Sequence, residues 1–233
     1  MSAYIPFFLI LGATLLISFL ASARVKSKFR RWSGVSATSG LTGAQAAAQI
    51  LRQAGIYDVE VVPYEGILSD HYDPMNKRLA LSETVYGSRS VAALGIAAHE
   101  AGHALQHAQA YAPLGWRMSA VKITSFASGP MMFLPIIFSV LGQAGIGLMI
   151  MVVGLSIMML FNLITLPVEF DASQRAKALL TRSGMIRAGE EERGVGEVLN
   201  AAGLTYVAAA VTALMHLLYW AWKAGLIGGQ RRD

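Results

Sequence analysis

Charged side chains are absent from three long stretches of the chain, residues 1–23, 123–168 and 198–222. A membrane-crossing helix takes roughly 20 mostly apolar residues. The first and third stretches match one crossing each. The 46-residue middle stretch matches two, joined by a turn at Gly142-Gln143-Ala144-Gly145. Core helices of soluble proteins are shorter and apolar on one side only, so the pattern reads as four spans. Pro130 and Pro135 predict kinks in the second of them.

The polar remainder has its own periodicities. Thr42–Ala54 reads as a helix, with Thr42 as its cap, an alanine-rich body and Gly55 as its stop. Residues 58–63 hold three valines in weak alternation, which predicts a strand. Gly66–Asp73 and Arg78–Ser82 flank Pro74-Met75-Asn76-Lys77, a turn-forming tetrapeptide, and so predict a β-hairpin. Arg89–Ala110 contains no proline and is rich in alanine, hence a helix, broken by Ala112-Pro113. Residues 169–197 are polar and helical at their start. The last apolar stretch ends in Tyr219, Trp220 and Trp222, aromatic residues suited to a membrane–water interface.

Composition supports the membrane reading: 55% of residues are hydrophobic and 14% charged, against about 25% charged in soluble domains. Cysteine is absent, which excludes disulfides, thiolate metal sites and a cysteine nucleophile. The formal charge of +5 comes from cations beside apolar stretches, where they set orientation; it is not a nucleic-acid signal. Arg24, Lys26, Lys28, Arg30 and Arg31 follow the first apolar stretch. A cleaved signal peptide carries its basic residues before it, so this is expected to be a retained anchor with its C-terminal end in the cytoplasm. Eleven Lys and Arg fall in 24–122, none in 143–145 and five in 169–197, which puts both polar segments on the cytoplasmic side. Four full crossings would leave Lys223, Arg231 and Arg232 outside. The last stretch is therefore open between a span and a re-entrant or interfacial segment.

His99-Glu100-Ala101-Gly102-His103 matches H-E-x-x-H and falls on the helix predicted independently. Residues four apart share a helix face, so the two imidazoles can converge on one metal, while Glu100 is positioned as general base toward a water beside it. A catalytic zinc takes three protein ligands and leaves a position for water. His107 lies eight residues from His99, a rise of ~12 Å, too far for one ion, and fits the rim or an outer contact. Topology offers Glu169 and Asp171, the first carboxylates after the chain returns to the same side. Glu169 is taken as the third ligand, and Asp171 as acceptor of a ligand histidine's outer N–H. Oxyanion or substrate contacts are sought among His71, Tyr72, Arg175 and His216.

The runs SDHYDP (69–74), RSVAALGIAAHEAGHALQHA (89–108) and LPVEFDASQRA (166–176) resemble the YugP-like membrane zinc metallopeptidases, distant motif-level relatives of the HtpX and CAAX prenyl protease type. The resemblance covers nearly the whole chain. It implies a third ligand in a Glu-Phe context, which Glu169-Phe170 matches. The broader relatives carry an Asp four residues after that Glu; here the position is Ser173, and the Asp is at 171.

The expected fold is mainly α and integral to the membrane. About four transmembrane helices carry a small cytoplasmic α+β segment, a zincin-type H-E-x-x-H helix with a β-hairpin. Residues 1–23 form the anchor, 24–118 a cytoplasmic segment with the metal helix, 119–168 a two-span hairpin, 169–197 a cytoplasmic segment with the third ligand, and 198–233 the final helix and tail. The expected activity is zinc-dependent hydrolysis of peptide bonds in membrane or membrane-proximal proteins at the cytoplasmic face of a bacterial plasma membrane, with one Zn²⁺ per chain. The competing reading is a non-catalytic, zinc-stabilised membrane interaction or quality-control protein. Expected partners are a protein or peptide substrate and the lipid bilayer, with no nucleic acid; a second copy or a membrane regulator stays open.

Overall fold

The computed structural model describes residues 5–228. Residues 1–4 of the expected anchor, and the tail cations Arg231 and Arg232, lie outside them. In chain order come α1 (Ile5–Ser33), α2 (Gly43–Gln53), β1 (Glu60–Tyr64), β2 (His71–Asp73), β3 (Arg78–Ser82), α3 (Glu83–Tyr86), α4 (Val91–Ala108), α5 (Ala112–Val140), α6 (Ala144–Arg182) and α7 (Glu190–Lys223). Helices α1, α5, α6 and α7 are long and apolar enough to cross a membrane.

The chain divides into two compact units. The first comprises Met1–Leu20, Trp116–Leu166 and Tyr206–Asp233. Its described surface carries large apolar side chains, including Phe8, Phe126, Ile136 and Val140. Only helices or closed barrels satisfy the backbone in hydrocarbon, and the elements among this unit's described residues are all helices. Phe7 of α1 packs on Tyr219 and Trp220 of α7, with ring centroids 5.8 and 6.3 Å apart. The α5–α6 turn closes with Gly142 in the left-handed region at φ 75°. Pro130 and Pro135 both sit inside the uninterrupted helix α5.

The second unit comprises Ala21–Gly115 and Pro167–Thr205. Helix α4 is its centre, buried along almost its whole length, as expected of a helix apolar all round. Ser90 caps it by accepting Ala93 N–H at 3.2 Å. Its end differs from expectation. Ala110 adopts φ 50°, Tyr111 N–H bonds back to Gln106 O at 2.9 Å, and α5 starts at Ala112. Pro113 thus lies in the first turn of the next helix, where its missing N–H costs nothing.

Helix α2 carries a capping box between Thr42 and Gln45, in which each side chain satisfies the other's backbone N–H. The hairpin falls where the turn chemistry puts it, with β2 antiparallel to β3. Beyond expectation, β3 also pairs with β1 in parallel, giving the order β1-β3-β2. Leu79 and Leu81 of this central strand are fully buried. The Ser/Gly/Thr-rich connector after α1 is pinned rather than loose: Ala37 N–H bonds Arg89 O at 2.9 Å, and Thr38 bonds Glu191. Trp32, also buried, donates its indole N–H to Glu197 at 3.0 Å.

Helix α2 begins against the backbone of α3. A Cβ on Gly43 would lie 2.3 Å from Val85 O, and a backbone atom cannot swing aside as a side chain can. Gly43→Ala should destabilise the chain by roughly 1–3 kcal/mol, seen as a lower unfolding midpoint in detergent. An unchanged midpoint would mean that α2 and α3 do not approach this closely.

Candidate metal centre

Helix spacing puts His99 and His103 on one face of α4, their ring centroids 4.8 Å apart and nearly perpendicular. Glu169 of α6 meets them. Its Oε2 lies 3.2 Å from His99 Nε2 and 3.7 Å from His103 Nε2. One ligand atom from each of the three residues falls within 4.8 Å of the other two. Glu169 is only 2% exposed. Its helix turns Val168, Ala172, Ala176 and Leu180 inward, all fully buried, a stripe of period four that fixes which way Glu169 points.

Gly102, between the two histidines, permits this meeting. A Cβ there would stand 2.9 Å from Ala172 O and 3.3 Å from Ala172 Cα. Any side chain at 102 would hold α6, and Glu169 with it, away from the imidazoles.

The outer nitrogens of both histidines are also held. His103 Nδ1 lies 2.9 Å from Gln106 Oε1. Gln106 Nε2 in turn donates to Val168 O at 2.9 Å and Asp171 Oδ2 at 2.7 Å. Ser173 Oγ lies 3.2 Å from His99 Nδ1. The expected bond from a histidine to Asp171 is replaced: Asp171 binds Gln106 and Arg175 Nε, the latter at 2.5 Å, and reaches His103 only through the Gln106 amide. Neither Gln106 nor Ser173 was selected as a site residue from sequence. The available signal was Gln106 three residues after His103 on an otherwise apolar helix, and Ser173 one helical turn after Glu169.

The other candidates scatter. Glu100 is buried, and its charge acts on the His103 imidazole. His107 Nδ1 meets the Tyr72 hydroxyl at 2.8 Å, a link between α4 and strand β2. Arg175 is engaged by Asp171 and by Gln109 Oε1 at 2.5 Å, and lies over the Tyr111 ring. His71 is exposed, bonded to Ser69 O at 2.8 Å and edge-on to Tyr64. His216 belongs to the other unit, where its Nε2 lies 3.3 Å from Thr14 Oγ1.

Two ionisations bear on the chemistry. Burial pulls the His103 imidazole toward neutrality, but the Glu169 carboxylate and the charge of Glu100 outweigh it and raise its pKa. The Tyr72 phenol is pushed up to about 12, first by burial and then by the charges of Asp58 and Asp73; it stays an O–H donor at any physiological pH. His99, His103 and Glu169 could hold a metal ion; two imidazole nitrogens and one carboxylate oxygen are donor types that zinc accepts.

Residues 7–224 match the family model described as "Putative neutral zinc metallopeptidase". The chain is 47% identical over 209 residues to the protein named "Putative membrane protease YugP" of Bacillus subtilis (strain 168), a match spanning 88% of this chain and 91% of that one. No solved structure matches it. With nearly its whole length inside the family model, the chain belongs to the family described as "Putative neutral zinc metallopeptidase".

Proposed function

We propose that the chain is a zinc-dependent endopeptidase that cuts membrane or membrane-proximal proteins at the cytoplasmic face of a bacterial plasma membrane. His99, His103 and Glu169 are its metal ligands and Glu100 its general base. The observation that carries this is the convergence of three ligand atoms within 4.8 Å, with the buried carboxylate of Glu100 close enough for its charge to act on His103. A zinc-stabilised interaction protein would have no use for Glu100 at that position. The name of the Bacillus subtilis relative supports the membrane protease reading, and the excess of Lys and Arg in the polar segments supports the cytoplasmic side.

Bound zinc lowers the pKa of water toward ~7 and polarises a carbonyl. The remaining chemistry belongs to the chain. Glu100 takes the proton of the attacking water on a carboxylate oxygen and delivers it to the leaving amine. Of the candidate oxyanion donors, Tyr72 fits best. It keeps its proton, and its partner His107 lies one turn beyond His103 on the same face of α4. Strand β2, which carries Tyr72, lies at the sheet's edge. An open edge holds an extended peptide through its backbone, which favours loose side-chain selectivity.

Glu100→Gln should retain zinc and lose about 10²–10⁴-fold in kcat, measured on a membrane-protein substrate in detergent or vesicles. Retained cleavage would exclude Glu100 as the base and favour the non-catalytic reading of the motif. Elemental analysis should give about one zinc per chain in the wild type, a sharp loss in Glu169→Ala, and a smaller loss in Asp171→Ala because Val168 O still holds the Gln106 amide. Full occupancy in Glu169→Ala would remove Glu169 from the ligand set. Tyr72→Phe should keep its zinc and lose about 10²–10³-fold in kcat, the usual cost of one oxyanion donor. A loss below about threefold, on that same scale, would rule the phenol out as the donor.

A further inference from the structure

The two histidines of the motif are held by groups of different chemistry. Ser173 offers His99 a hydroxyl, which can donate or accept. At 3.2 Å from Nδ1, it suits either neutral form of that ring. Gln106 has no such freedom. Its amide nitrogen faces Val168 O and Asp171 Oδ2, at 2.9 and 2.7 Å, and both of these only accept. The NH₂ group must point at them, which turns the carbonyl Oε1 toward His103 Nδ1. A carbonyl oxygen cannot donate, so Nδ1 must carry the hydrogen. On the other side of the ring, Nε2 stands 3.7 Å from Glu169 Oε2, beyond hydrogen-bond length. A neutral His103 is therefore protonated on Nδ1, with the Nε2 lone pair facing Glu169.

The geometry points to Gln106 as a positioning residue that presets His103 for metal capture before any metal arrives, while His99, whose Nε2 faces the accepting Oε2 of Glu169 at 3.2 Å, must give up the hydrogen on that nitrogen when a metal binds, a change the Ser173 hydroxyl permits. Gln106 is fully buried, so water cannot reverse the amide. Arg175 Nε on Asp171, at 2.5 Å, holds the far end of the chain His103–Gln106–Asp171–Arg175. This rests on the proposed role of His103 as a metal ligand, and extends it to a division of labour between the two histidines.

The test uses full-length protein in lipid nanodiscs, stripped of metal, with histidine labelled by nitrogen-15. It is recorded at rising pH until the His103 signals stop moving, so that the neutral ring is the one observed, because the neighbouring Glu169 and Glu100 charges hold its proton above the ordinary imidazole pKa of ~6.5. Five histidines give few enough signals to assign by single substitutions. We expect His103 to show a protonated Nδ1 and a bare Nε2. In Gln106→Met, which keeps length without a polar group, the proton should move toward Nε2, and the dissociation constant for added zinc should rise about 10–100-fold. A wild-type His103 protonated on Nε2 would overturn the assignment, as would unchanged zinc affinity in Gln106→Met. The wild-type spectrum decides even where that variant fails to fold. The spectrum needs neither zinc nor substrate, so it is independent of the proposed activity. A chain with the expected tautomer that cleaves nothing would sink the peptidase reading and leave the role of Gln106 standing.

Discussion

At Gly102 the α4 helix meets the backbone of α6 with no side chain between them, and the site is arranged around that point. On α4 the two histidines lie three residues before the contact and one after it. On α6, Glu169 and Ser173 hold the same offsets from Ala172. Residues at such offsets flank the same helix face, so pressing Gly102 against Ala172 brings one pair onto the other. The contact is made by backbone, which cannot relax by changing rotamer. One turn from the contact on the same faces, Ala98 on α4 and Ala176 on α6 are small and fully buried, which suits a close approach.

That closeness has an energetic consequence. Glu169 is almost entirely removed from water, and an ionised carboxylate without partners is costly in such a place. The imidazoles beside it offset part of the cost, and a divalent cation among the three would offset more. The same holds for the neutral groups behind the histidines. Gln106 is fully buried, yet its oxygen and both of its N–H groups have partners. A half-satisfied amide there would be worse than an apolar side chain. Polar groups in the middle of an otherwise alanine-rich core cut against the local rule for burial, and such exceptions concentrate where function requires them.

Much of this was legible from the chain. Uncharged runs of twenty or more residues have few physical alternatives to crossing a membrane, and four such helices are present. The H-E-x-x-H spacing needs only helix geometry, and the proline-free, alanine-rich run Arg89–Ala110 supplied the helix. The hairpin followed from the Pro74–Lys77 turn. The parallel pairing of β1 with β3 did not, because register between strands separated by a long connection is set by packing rather than by turn residues. The end of α4 was also misjudged. Pro113 reads as a helix breaker, yet the break is at Ala110, in a left-handed conformation that alanine rarely adopts.

The outer contacts of the site were missed for a reason that helix geometry makes plain. Asp171 was taken as the partner of a ligand histidine because it is the carboxylate nearest Glu169 in sequence. On an α-helix, two residues correspond to about 200° of rotation, so Asp171 points away from the face that Glu169 presents. Ser173, four residues on, returns to within about 40° of it and meets His99. Since α6 runs unbroken through both positions, the helical wheel alone would have chosen the serine over the aspartate. What it could not have supplied is Gln106, whose partners lie 62 and 65 residues away and depend on how α6 is rotated against α4. That rotation also decides the chemistry of the contact. An aspartate on His103 would place a full negative charge against the imidazole, whereas the neutral Gln106 amide stands between the ring and Asp171.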